Sequence, residues 1–107
     1  MAAYLIVLAK IHDRDKFLSG YAVEAAKLVE KMGGQYLFRG SGAISLEGSL
    51  GDDYSAVIST WPDRAAAEAF WHSPEYREAA KLREGICEVE VQLIEGELTL
   101  PNSGEQT

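Results

Sequence analysis

Four side chains in this 107-residue sequence have types and surroundings suited to chemistry: Arg39, Tyr21, Trp61 and His72. Arg39 ends the run Gln35-Tyr-Leu-Phe-Arg39, which predicts a largely buried strand, and Gly40 follows it. A guanidinium held there can clamp a carboxylate through two parallel hydrogen bonds. The competing role is an internal ion pair, most simply with Glu47, and it is slightly the stronger expectation. His72 titrates near neutral pH and suits a general base. It also falls in the last turn of a predicted helix, where an imidazole meets the negative end of the helix dipole. That structural role is the favoured one. Tyr21 lies on an apolar helix stripe, and its hydroxyl reaches a ligand only if a cavity lies beside it.

Trp61 and Trp71 are aromatic enough to line a pocket, although the core is the expected place for Trp71. Tyr76 and Arg83 stand seven apart and so share a helix face, serving the dimer or the core. His12 precedes a helix cap and is expected to be exposed. Glu88 and Glu90 point away from Val89 and Val91. A solvated sheet face is the simplest role for them, and a polar lining for a dimer barrel is the alternative. Asp52-Asp53 lacks the spaced ligands of a calcium loop. The single cysteine, Cys87, rules out an intrachain disulfide and any CxxC site. No P-loop, dinucleotide fingerprint, GxSxG or HExxH occurs, so no metal or cofactor is called for.

The elements that position these residues follow from hydrophobic spacing. Tyr4 to Ile11 reads as a buried strand. Asp13 or Asp15 caps a helix whose apolar residues recur at Phe17, Tyr21, Ala25, Leu28, Val29 and Met32. Gly33-Gly34 stops it. After the strand 35–39, Gly40-Ser-Gly42 turns, and 43–47 is expected to return as a short arm. A polar loop then leads into a strand at Tyr54–Trp61, ended by Pro62. Asp63 caps a helix to about His72. Ser73-Pro74 starts another, which runs to about Glu84. Ile86 to Glu95 is the last strand, with Cys87, Val89, Val91 and Leu93 on one face. Residues 1–98 are thus expected to form the domain, with 99–107 a flexible tail.

A net charge of -7 and scattered cations exclude a nucleic-acid backbone or an anionic membrane as partner. The apolar N-terminal run is too short to span a bilayer and lacks a basic leader, so the expected location is the cytoplasm.

The order strand, helix, strand, strand, helix, strand predicts an α+β fold of the ferredoxin-like βαββαβ type. That fold is a four-stranded antiparallel sheet with helices on one face. The first strand is apolar on both faces: Tyr4, Ile6 and Leu8 on one, and Leu5, Val7, Ala9 and Ile11 on the other. Helices cover only one of them. A second copy packed face to face covers the other, each large side chain so buried contributing roughly 1.5–3 kcal/mol. A homodimer is therefore expected.

The segment Gly33-Gly-Gln-Tyr-Leu-Phe-Arg-Gly40 forms a pattern with Leu46-Glu-Gly48, Trp61-Pro62, Phe70-Trp-His-Ser-Pro-Glu-Tyr76 and Lys81-Leu-Arg83. With these the chain resembles the uncharacterised bacterial domain-of-unknown-function family 1330, in the dimeric α+β barrel superfamily, over Tyr4 to Glu97. The resemblance implies the same fold and a barrel-forming dimer. It supplies no reaction, since one fold hosts many chemistries. Wider relatives include cofactor-independent monooxygenases, haem-degrading enzymes and small-ring isomerases. Ser41 and His72 stand where a glycine and an asparagine are common. The functional expectation is a small-molecule-binding protein or cofactor-independent enzyme for a small anionic or aromatic metabolite. Arg39 would grip the anion, with Tyr21 and Trp61 shaping the pocket and His72 moving a proton. The alternative is a non-catalytic dimeric structural or regulatory module.

Overall fold

A computed structural model describes residues 1–99. Nearly all of the expected tail at 99–107 lies outside the described residues. The strands are β1 (Ala3–Ile11), β2 (Gln35–Gly40), β3 (Ser55–Trp61) and β4 (Cys87–Glu95). They form one antiparallel sheet in the order β2-β3-β1-β4. Neither β1 to β2 nor β3 to β4 joins neighbours, so each connection crosses the sheet through helices. This is the ferredoxin-like arrangement.

The first crossover contains α1 (Arg14–Lys16), a π-helical turn (Phe17–Tyr21) and α2 (Ala22–Lys31). Asp13 starts it by accepting the Lys16 N–H at 3.1 Å. The second contains α3 (Arg64–His72), α4 (Pro74–Ala80) and a 3-10 turn (Lys81–Arg83). Asp63 accepts the Ala66 N–H at 2.8 Å. Ser73 joins the two helices: its hydroxyl donates to the Phe70 carbonyl at 2.8 Å and accepts the Tyr76 N–H at 3.1 Å. Pro74 costs no hydrogen bond at its position in the first turn.

Side chains directly opposite across a ladder share a face. Leu5 lies between Ser59 and Leu93, Val7 between Val57 and Val91, and Ala9 between Ser55 and Val89. This face carries the helices. Its core joins Ala3, Leu5 and Trp61 to Val29, Ala67, Phe70 and Tyr76. On the other face Ile6 lies between Ile58 and Gln92, and Tyr4 between Thr60 and Ile94. No helix among the described residues covers it, and Ile94 is 51% exposed.

Two expectations need correction. Residues 43–47 do not form a strand. Ala43 exchanges backbone hydrogen bonds with Tyr54 and Asp53 (3.1 and 2.8 Å), and then the chain leaves the sheet. Gly42 takes positive φ just before Ala43, and Gly48 and Gly51 do so beyond residue 47, so the path is turned on both sides of the segment. The expected buried strand 35–39 is instead the edge strand β2, so Arg39 is exposed.

Trp61 is the pivot of the core. Its indole N–H donates to Ser59 Oγ at 2.9 Å, and its ring stacks on Phe70 at 4.7 Å. Gly34 lets the chain pass against that ring, since a Cβ there would lie 2.6 Å from it. The buried ring has no room to yield. Gly34→Ala should therefore destabilise the fold by about 1–3 kcal/mol through overpacking, read as a lower midpoint in chemical denaturation.

Candidate functional site

The covered face of the sheet is not filled everywhere. Where β3 passes beneath the first crossover it presents Ser55 and Ser59, and β1 presents Ala9 opposite Ser55. Ala25 faces them from α2 as a buried small residue. Small side chains on both layers leave a cleft of about 310 Å³ between α1–α2 and the sheet. That volume is at the lower end for a small-ligand pocket. Its walls are mainly apolar, with Val7, Val57 and Phe17 prominent.

The π turn shapes this wall. A π-helical turn inserts one residue per turn relative to an α-helix and often marks a functional site. Here it leaves Phe17, Leu18 and Tyr21 together on the cleft side. Phe17 and Tyr21 lie 5.2 Å apart between ring centroids.

Polar groups are few and placed at the ends. Arg39 and Arg14 both line the cleft. Arg39 does not pair with Glu47. Its guanidinium lies over the Tyr36 ring at 5.0 Å, a cation–π contact that leaves its N–H groups available. Arg14 Nη2 donates to Ser55 Oγ at 3.3 Å, beyond the ideal range. At the other end the Tyr21 and Tyr76 hydroxyls meet at 2.6 Å. The Arg83 guanidinium sits 5.5 Å from the Tyr21 ring centre. Tyr76 stacks on Phe70 at 4.7 Å and on Trp71 at 4.8 Å, so it is held firmly.

Burial pushes the Tyr21 phenol well above its ordinary value, and the neighbouring Tyr76 adds to the rise. The positive charge of Arg83 only partly offsets it. Burial likewise raises Tyr36, against a lowering pull from Arg39. Both phenols are thus donors and not bases at neutral pH. No Asp, Glu, His or Lys lines the cleft among the described residues.

The four residues singled out from the sequence therefore separate. Arg39 and Tyr21 meet in the cleft. Trp61 lies behind its inner end, as core. His72 is exposed at the end of α3 and lines a different hollow, with Glu68, Val91 and Leu93. His12 is also exposed, and its Nε2 lies 2.8 Å from Glu88. Arg14, Ser55 and Tyr76 were missed as site residues. Serines at alternate positions of an otherwise apolar strand were the available signal for Ser55. Arg14 gave none.

The family of domain of unknown function DUF1330 matches residues 2–97. The chain belongs to that family. No curated protein matches it. Its fold is similar to a protein of unknown function from Rhodopseudomonas palustris, with TM-score 0.75 and 18% identity over 91% of this chain and 83% of that one. It is similar to SnoaB, a cofactor-independent oxygenase from Streptomyces nogalater, with TM-score 0.70 and 18% identity over 94% and 98%. A dimeric ferredoxin-like protein of unknown function from Jannaschia sp. CCS1 gives TM-score 0.69 and 17% identity over 90% and 100%. At such identities the likeness establishes the ferredoxin-like fold of this DUF1330 member and nothing of its chemistry.

Buried tyrosine favours its neutral form in the folded state. The folded protein then holds its proton above pH 10.0, the ordinary phenol value, where the unfolded chain releases it. Stability must fall as pH rises past that point. Tyr21→Phe should flatten that alkaline fall, measured as the slope of unfolding free energy against pH. An unchanged slope would contradict the assignment.

Proposed function

We propose that this protein binds a small, largely aromatic metabolite carrying a carboxylate or similar anion, in the cleft between α1–α2 and the sheet. The observation that carries this reading is an apolar cleft with two arginines on its rim and no carboxylate in its lining. The arginines supply charge and two-pronged geometry, and the walls supply dispersion contact and exclude water. His72 lines the neighbouring hollow and not this cleft, so it has no role as a base in it.

The protein acts as a homodimer in this account. The uncovered sheet face carries Tyr4, Ile6, Leu8 and Ile58, and Phe38 on β2 is 52% exposed beside them. A second copy laid on this face would close a barrel of two sheets. The cytoplasm fits a chain with one free thiol, Cys87. No helix among the described residues is long and apolar enough to cross a membrane.

The non-catalytic alternative has one observation of its own. Ile44, Leu46 and Leu50 stand exposed on the loop between β2 and β3, with Leu46 at 95%. Such a loop suits contact with another protein.

Arg39→Ala is the direct test. It should weaken binding of an aromatic carboxylate about tenfold or more, since a charge-assisted hydrogen bond contributes about 1.5–3 kcal/mol. The sedimentation coefficient should stay unchanged. Unaltered binding by calorimetry would remove the proposed anion site.

A further inference from the structure

The two ends of the cleft differ in a way that specifies the ligand further. Arg14 reaches Ser55, and Arg39 lies opposite Val57, so the cationic end occupies these two successive positions on one face of β3. Tyr36 lies opposite Ser59, two residues further along β3. The stack Trp61–Phe70–Tyr76 fixes the tyrosine pair toward that same end. Two residues of strand advance about 7 Å. This register spaces the backbone positions of Arg39 and Tyr36; the Arg39 guanidinium itself lies over the Tyr36 ring, and Arg14 at Ser55 marks the far cationic end of the cleft.

The proton inventory of the tyrosine pair is the second observation. Two hydroxyls bring two protons, and the 2.6 Å contact uses one. Tyr76 is 2% exposed, and Tyr21 is its hydroxyl's hydrogen-bond partner among the described residues. A buried hydroxyl proton must find an acceptor. Arg83 offers none, because a guanidinium only donates. Both rings line the cleft, and the more deeply buried Tyr76 is assigned as donor to Tyr21. The proton of Tyr21 is left over, on a side chain that lines the cleft. The nearby positive charge of Arg83 makes that end favourable for an oxygen bearing negative charge.

We propose that the cleft selects a short aromatic acid with an acceptor oxygen, phenolate or carbonyl, at the end remote from its carboxylate. Tyr21 donates to that oxygen while Arg39 and Arg14 hold the carboxylate. Tyr76 is a positioning residue that orients the Tyr21 hydroxyl. This rests on the cleft being an anion-binding site and adds the second recognition point.

Calorimetric titration of the full chain with 4-hydroxycinnamate and with cinnamate tests it. The wild-type protein should bind the hydroxylated acid about tenfold more tightly, as one good hydrogen bond allows. Tyr21→Phe should abolish that preference, bringing the affinity for 4-hydroxycinnamate down to that for cinnamate. Tyr76→Phe should keep part of the preference, because Tyr21 retains its proton. A second measurement needs no variant. The phenol of bound 4-hydroxycinnamate, followed by its absorption, should ionise at lower pH than in water. Equal affinity of the two acids, an unshifted or raised phenol, or equal loss of both ligands in Tyr21→Phe would overturn the inference. If both acids bind alike and Arg39→Ala releases both, the anion site stands and only the hydroxyl selection fails. If neither acid binds, both fall together.

Discussion

A central strand, β1, that is apolar on both sides in a sheet with helices on only one is the constraint on which the rest of this molecule depends. Leu5 and Ala9 are buried beneath the helices, while Tyr4, Ile6 and Leu8 look out from the opposite surface. The latter three are half-buried there, and each forgoes part of the roughly 1.5–3 kcal/mol that full burial gives such a side chain. The crossover topology forces both helical segments to one side, so the cost cannot be relieved within a single chain. In the proposed homodimer a second copy relieves it, and the helix-covered side stays free for the proposed ligand.

The covered side is divided by side-chain size. Toward Trp61 the layers interlock, with Phe70, Tyr76 and Val29 filling the space and Gly34 pressed against the indole. Toward Ser55 the residues shrink to serine and alanine, the π turn displaces the helix register, and a cleft remains. The rigid aromatic stack at one end holds Tyr76, and through it Tyr21. The edge strand at the other end presents Arg39. Packing and site are one construction, and the polar ends are fixed by the same contacts that form the core.

Much of this was legible in the sequence. The alternation at Cys87–Leu93, the caps Asp13, Asp63 and Ser73, and the glycine stop after Met32 defined the elements because each rests on local backbone chemistry. Register and layer order did not. Arg39 looked buried because its neighbours Tyr36, Leu37 and Phe38 are apolar, yet β2 is an edge strand, and apolar composition does not distinguish edge from centre. The arm at 43–47 failed because pairing stops at Ala43, just after the positive-φ Gly42, and no further ladder bond among the described residues holds the chain. His72 and Trp61 carried suitable chemistry but sit off the cleft, which only the packing of α3 decides. Arg14 looked like an ordinary first-turn residue, since nothing local announces that it reaches β3 41 residues away.

The most direct measurement is sedimentation equilibrium of the untagged chain at micromolar concentration. The two-faced sheet predicts a particle of about twice 11.7 kDa that persists on dilution through that range. A single species of 11.7 kDa throughout that range would contradict it.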